Sequence, residues 1–499
     1  MENLLSRVAP HRRVLSIGLT LAVVALVGYG LLVSLAPRAM ARQPQPSQPG
    51  GSAVAMTPVP SAATPSASPA VPAPASLTPL TASPAETPAE VAWSEQVKGR
   101  VVDARKQPIA GASVVNAGKE VRTEADGTFV LTKPTGAIIV KHPGYEKVTL
   151  TTRKDSMAPS ADVVLKPFAV KAAYLTYYGV MDRGIRSRVL DLVAKTELNA
   201  VVIDVKGDRG WLLYRSELPQ VAAVGAQGPA VYKEFDALMA ELKARNVYTI
   251  ARIVTFKDNM LAGARPDLAI MDTRTGKPWI DNEKLAWVDP FREEAWNYNI
   301  AIAKEAVRKG FDEVQFDYVR FPTDGRLSAA KYMKENNRDT RLPTIAAFLG
   351  KARREIGATG AFVGADVFGY TAFNENDTDI GQRVEELTPN LDYICPMVYP
   401  SGYHKGIPGV PNPVANPYQV VHESVRLTKK RATHTVVRVR PWLQDFRDYA
   451  YDRRIFGAHE VKQQIKGSDD AGGTGWMLWN PKNDYTGAAL QAKGTLAAK

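Results

Sequence analysis

From Phe168 to the C-terminus, short β-branched and aromatic runs alternate with segments whose apolar residues recur at helical spacing. Such alternation restricts a chain to architectures built on a parallel sheet with right-handed crossovers. The strand-like runs are Val170–Thr176, Ala200–Lys206, Tyr248–Thr255, Glu313–Val319, Ala361–Val367, Tyr393–Tyr399, Thr435–Leu443 and Gly475–Asn480. Eight strands is the number a closed barrel needs, so residues 168–499 predict an α/β fold, a (β/α)8 or TIM barrel. Val231–Ala244 repeats apolar residues at Val231, Phe235, Leu238 and Leu242, and Arg292–Arg308 at Trp296, Ile300, Ala303 and Val307. Asp289-Pro290 reads as the capping entry to the second of these helices. The longer connections follow the strand ends near Lys206, Thr255, Tyr318 and Tyr399, the side on which such barrels keep their chemistry.

Because side chains alternate along a strand, Glu313, Gln315 and Asp317 share one face of their strand and Val314, Phe316 and Tyr318 the other. The polar face should point into the barrel, where a carboxylate is tolerable only near the open end. The same test groups Val202, Asp204 and Lys206, and also Gly364 with Asp366, where glycine leaves room beneath the acid. Arg252, Arg440, Trp442, Gln444 and Asn480 add polar or aromatic groups near other strand ends. Taken singly, each acid reads as an ion-pair partner of Arg252, Arg320 or Arg440. Three acids at one mouth, Asp204, Asp317 and Asp366, read as one site.

Glycoside hydrolysis uses such a set: one carboxyl protonates the leaving oxygen and a second attacks the sugar or activates water. Retention requires carboxyl groups about 5–5.5 Å apart and inversion about 6.5–9.5 Å. Tyr177, Tyr178, Trp211, Tyr318, Tyr370, Tyr399, Tyr403, Trp442 and Trp479 are candidates to stack on sugar faces.

Upstream, Val14–Ala36 is an uncharged apolar run preceded by Arg7, Arg12 and Arg13. At about 1.5 Å per residue it is long enough to cross a bilayer core of about 30 Å. Residues 1–13 are then the cytoplasmic N-terminus and 14–36 a transmembrane signal-anchor in the cell membrane. Ala39-Met40-Ala41 fits a cleavage site, in which case the protein is secreted; either outcome exports the rest to the periplasm or cell surface. Residues 43–92, rich in Pro, Ala, Ser and Thr, predict a disordered, semi-rigid linker. Residues 97–166 alternate like short strands around turns at Gln107–Gly111, Asp126-Gly127 and His142–Tyr145, predicting a small all-β sandwich.

The lone cysteine, Cys395, excludes an intrachain disulfide and reads as a small buried hydrophobe. Six histidines without zinc-hydrolase spacing, and an acidic loop Asn374–Asp379 that departs from the EF-hand pattern, give no metal site and no cofactor. The net charge of +12 is spread along the chain, and with export it argues against nucleic acid as a partner.

AAYLTYYG, VVIDVKGDRG, ARIVTFKD, the run WVDPFREEAWNYNIAIAKEAVRKGFDEVQFDYVRFPTDG, ICPMVYPSGY and GWMLWNP resemble the bacterial putative glycosyl hydrolase domain family, from Phe168 onward. That resemblance implies a TIM-barrel glycoside hydrolase of a family often exported; together with the export signal, the expected substrate is an envelope or extracellular polysaccharide or oligosaccharide. By looser similarity to the α-amylase and α-galactosidase barrels, Asp317 would be the nucleophile and Asp366 the acid/base. α-Amylases carry Glu at the latter place, which keeps Asp204 as the alternative acid. Lys206, Arg252, Gln315, Arg320, Tyr399, Trp442, Gln444 and Asn480 are the expected substrate-binding groups. GRVVDARKQPIAGASVV and TEADGTFVL resemble the carboxypeptidase regulatory-like family, an accessory β-sandwich of exported proteins. A non-catalytic carbohydrate-binding scaffold of the envelope fits the same features.

Overall fold

A computed structural model of the 499-residue chain describes residues 96–150, 162–229, 231–432, 434 and 436–494. The expected membrane segment 14–36 and linker 43–92 lie outside the described residues. No helix among the described residues is long and apolar enough to cross a membrane.

Seven strands come first: β1 Gln96–Asp103, β2 Ser113–Asn116, β3 Lys119–Arg122, β4 Thr128–Thr132, β5 Ile138–Lys141, β6 Val148–Leu150 and β7 Asp162–Leu165. They form a three-stranded sheet, β4-β1-β7, and a four-stranded sheet, β3-β2-β5-β6. The alternation of β1 buries Val97 and Val101 against Val114, Phe129, Val140 and Val163 in a small core of their own.

The rest is a closed barrel of eight parallel strands. They are β8 Val170–Leu175, β9 Ala200–Lys206, β10 Tyr248–Val254, β11 Glu313–Asp317, β12 Phe362–Phe368 and β13 Tyr393–Met397, then a seventh split into β14 Arg438–Val439 and β15 Trp442–Gln444, and β16 Gly475–Trp479. β12 pairs with β13 and β16 with β8, which closes the ring. The seventh strand is interrupted at Arg440-Pro441 because proline cannot donate to the ladder.

Outward residues such as Val201, Ile203, Ile253, Val314 and Phe316 pack under helices in one large core. Those helices include α1 Arg183–Lys195, α2 Phe235–Ala244, α3 Glu293–Arg308, α4 Arg338–Gly357, α5 Pro417–Arg431 and α6 Ala458–Asp470. Inward residues such as Ala172, Val202, Ile250, Phe362, Tyr393, Cys395 and Met477 form a separate core within the barrel. The fifth crossover departs from the regular repeat, since its α-helix is the single turn Val384–Leu387, flanked by the 3-10 turns Gly369–Ala372 and Thr388–Asn390.

Three local expectations are corrected. Asp289-Pro290 does not cap α3, which starts after Arg292; Asp289 instead accepts from the amides of Phe291 (3.0 Å) and Met333 (2.6 Å), tying two mouth loops together. α2 starts at Phe235 and not Val231. The fourth strand stops at Asp317, because Tyr318 turns into the left-handed region at φ +48°.

The small module sits against the N-terminal end of the barrel, opposite the mouth. Lys141 Nζ, wholly buried, donates to the Ala361 carbonyl (2.5 Å) and faces Asp392 at 3.8 Å. Arg353 of α4 donates to Glu120 of β3 (3.0 and 3.1 Å) and to Asp392 (3.1 Å). Burial alone would raise the Glu120 carboxyl, but the hydrogen bond and charge of Arg353, with help from Ser113, hold it down to about 2.

Candidate active site

Register decides which side chains meet at the mouth. Arg252 is opposite Asp204 on one side and Gln315 on the other, and Gln315 is opposite Gly364. Continuing the ladder two residues places Asp317 beside Asp366, both inward and both at the C-terminal ends of neighbouring strands.

Arg252 organises the acids. Its Nε stands 3.0 Å from Asp317 Oδ2, its Nη2 also donates to that oxygen, and its Nη1 donates to Asp204 Oδ1. The second oxygen of Asp317 accepts the Tyr318 amide at 2.6 Å, an arrangement that the left-handed turn at Tyr318 makes possible. The second oxygen of Asp204 accepts the Tyr174 hydroxyl at 2.6 Å. Burial pushes Asp204 up despite Arg252 and Tyr174, yet both its oxygens are engaged by the protein.

Asp366 differs. It is 1% exposed, and Trp442 Nε1 donates to its Oδ1 at 2.7 Å. Burial, and then the charge of Asp317, push its carboxyl well above the ordinary range, against Arg252, Trp442 and Arg440. With Oδ1 occupied as an acceptor, Oδ2 is the oxygen left to carry a proton. Tyr399 is raised by burial and by the charges of Asp366 and Asp317, and its hydroxyl has no hydrogen-bond partner among the described residues. Tyr174 stacks on Trp479 with centroids 4.1 Å apart, and Trp442 meets both rings edge-on, giving an aromatic wall beside the acids.

The remaining sequence candidates divide. Arg320 reaches the rim: its guanidinium lies 4.7 Å from the Phe368 ring, 5.0 Å from Tyr318 and 5.1 Å from Trp287. Gln315 is fully buried one rung below Asp317, with Nε2 3.5 Å from Met477 Sδ. Lys206 is turned away into a buried ion pair with Asp258 (2.5 Å), the residue that also caps the helix Asn259–Ala264. Gln444 is consumed by Ser401 (2.7 and 3.0 Å) and the Phe446 carbonyl (3.1 Å), holding the loop after β13. Asn480 is likewise consumed by the carbonyls of Asp445 and Asp484 and the amide of Lys482. The room left by Gly364 is filled by Glu313, whose Oε1 would stand 3.1 Å from an added Cβ. Arg440 does not reach the three acids; it pairs with Glu313 deep in the barrel, where Tyr248 also donates to Glu313 at 3.0 Å.

Sequence reasoning missed Tyr174, Trp287, Phe368 and the mouth cation Lys257, which pairs with Glu283 (2.8 Å) and Asp281 (3.2 Å). Tyr174 follows Val170 and Ala172 on the inward face, so the alternation test would have found it. The loop residues carry no periodic signal. The acidic loop around Asp377 is an Arg341-bound turn (2.7 Å). Among the described residues no cluster of His, Cys, Asp and Glu has the makings of a metal site.

Residues 172–485 match the profile of a family described as a putative glycosyl hydrolase domain. No curated protein matches the chain. Among solved structures, a hypothetical protein from Ruminiclostridium thermocellum is 37% identical over 39% of this chain and 97% of its own, with a TM-score of 0.35. The PgaB glycoside hydrolase domain from Bordetella bronchiseptica is 13% identical over 64% of this chain and 95% of its own, at 0.46. A chitinase from Chromobacterium violaceum is 14% identical over 66% and 100%, at 0.40.

Proposed function

This chain belongs to the putative glycosyl hydrolase domain family, and on that premise we propose that it hydrolyses a polysaccharide of the envelope or extracellular space by a two-carboxylate mechanism. The observation that carries the reading is the unequal pair at the mouth: Asp317, met by N–H donors from Arg252 and Tyr318, beside the buried Asp366, whose carboxyl accepts one hydrogen bond from Trp442 and is pushed up by burial and by the charge of Asp317.

Asp366 Oδ2 gives its proton to the glycosidic oxygen as the bond to the anomeric carbon breaks, and Asp317 attacks that carbon. Water then adds to the glycosyl-enzyme, returning its proton to Asp366 and freeing Asp317. Neighbouring strands lie about 4.8 Å apart, which favours the short carboxyl separation of a retaining enzyme. Arg252 holds Asp317 in place and Asp204, with Tyr174, holds Arg252, so Asp204 is a positioning residue. Tyr399 offers an unused hydroxyl to substrate.

The segment 14–36 would tether the enzyme outside the cytoplasm and 43–92 would act as spacer. The module of residues 97–166, read as a carboxypeptidase regulatory-like domain, would be a rigid base for the barrel. The near-complete burial of Asp366 favours a second reading, a glycan-binding scaffold without turnover. Sugar release from a panel of envelope and extracellular polysaccharides, by the protein and its Asp317→Asn variant, separates the two. Turnover lost in the variant supports the hydrolase; binding by both with turnover by neither supports the scaffold.

A further inference from the structure

Four buried cations stand at or just beyond the C-terminal ends of β9, β10 and β11. Lys206, Arg252 and Lys257 each have a carboxylate partner: Asp258, Asp204 with Asp317, and Asp281 with Glu283. Arg320, only 6% exposed, makes no ion pair among the described residues. Its Nη1 donates to the Phe321 carbonyl (2.9 Å) and Thr323 Oγ1 (3.4 Å). Nε and Nη2, the two donors along one edge of the guanidinium, have no acceptor, and neither belongs to the fully enclosed unsatisfied atoms, so both retain contact with solvent. Three rings pack around the guanidinium: Trp287 from the loop after β10, Tyr318 from the end of β11 and Phe368 from the end of β12. Tyr318 and Phe368 follow Asp317 and Asp366 by one and two residues, and the charge of Asp317 acts on Arg320.

Burying a charge without a partner is costly, and the cost is reduced when the partner arrives with a ligand. The open Nε–Nη2 edge has the fork geometry that meets both oxygens of a planar carboxylate at once. We propose that Arg320 is a subsite for a carboxylate-bearing sugar and that the substrate is therefore an acidic, uronate-type glycan. This inference rests on the glycan reading of the mouth and narrows it to one class. The rings around Arg320 fix the guanidinium for that contact, and Asp317, nearby but turned to Arg252, leaves the edge free.

The test measures binding of polygalacturonate, alginate and hyaluronan oligosaccharides, each beside its carboxyl-reduced neutral form, with a teichoic-acid polymer as the phosphate arm. About 0.15 M salt limits nonspecific attraction to a basic protein, the Debye length there being about 8 Å. The parent protein should bind at least one uronate glycan about 10-fold or more tighter than its reduced form. Arg320→Gln should abolish that preference, and Arg320→Lys, which keeps the charge among the rings without the fork, should lose most of it. Equal binding of reduced and unreduced forms, a preference unmoved in Arg320→Gln, binding to the phosphate polymer alone, or binding to none would overturn the assignment. Because the readout is binding and not turnover, the preference is measured whether or not the hydrolase reading holds, which keeps the two failures distinct.

Discussion

Arg252 Nε stands 3.0 Å from Asp317 Oδ2, and the same guanidinium holds Asp204 through Nη1, so one cation serves two buried acids on either side of it. Arg252→Ala leaves both carboxylates buried without that partner, and removing one member of a buried pair costs about 3–5 kcal/mol. Urea unfolding should show a loss of that order. Arg252→Lys restores charge but not the three-way fork, so it should recover only part of the stability and little of the turnover.

As the proposed acid, Asp366 is expected to set the alkaline limb of activity, because the proposed reaction needs its proton. Trp442 donates to the ionisable carboxyl and favours its charged form, so Trp442→Phe should move that limb to higher pH in a pH–rate profile. A limb that stays in place would remove Asp366 from the role of acid.

The same group fixes the sign of a stability effect. Its carboxyl is raised on folding, so the native state binds the extra proton. Its contribution is complete below the unfolded value of about 3.9 and is lost as pH rises through the folded value. Asp366→Asn has no such titration. The stability of the variant relative to the parent should therefore increase with pH in chemical denaturation from acid to mildly alkaline buffer.

Glu313 and Arg440 pair at full burial below the site. Glu313→Gln strands the guanidinium and should cost about 3–5 kcal/mol, while the choice of polymer cleaved stays unchanged. The comparison separates what holds the barrel from what recognises substrate.

Arg353 and Lys141 bind the small module to the barrel through Glu120, Asp392 and Ala361. A fragment starting at Phe168 loses Glu120, Ser113 and Lys141 as partners for Arg353 and Asp392. Its thermal midpoint should fall clearly below that of a fragment starting at Gln96. Glu120, depressed to about 2 by Arg353 and Ser113 against its burial, contributes stability above its unfolded value that is lost as pH falls toward about 2. The longer fragment should therefore lose its advantage in acid.

Strand identity was legible because period-two alternation and β-branched composition are local properties, and they carried Asp204, Asp317, Arg252 and Asp366 to the mouth together. What was not legible depends on partners distant in sequence. Lys206 looked like a mouth residue by alternation, but the register shift between β9 and β10 accompanies its turn toward Asp258, 52 residues away. Gln444 is the last residue of β15 and Asn480 lies just past the end of β16, yet Ser401 and backbone groups of neighbouring loops use up their hydrogen bonds. Asp289-Pro290 has the composition of a helix cap, and the competing amides of Phe291 and Met333 take the aspartate instead.

The most direct measurement traps the glycosyl-enzyme with a panel of 2-deoxy-2-fluoroglycosides bearing good leaving groups, neutral and uronate sugars included, and maps the adduct by peptide mass. The expected result is one sugar captured on the peptide at Asp317, with capture little changed but release of the adduct by water slowed in Asp366→Asn, because a good leaving group needs no proton while the attacking water needs a base. An adduct on Asp366 or Asp204, or continued turnover of polysaccharide with inverted product and no adduct, would contradict the assignment of Asp317 as nucleophile and Asp366 as acid.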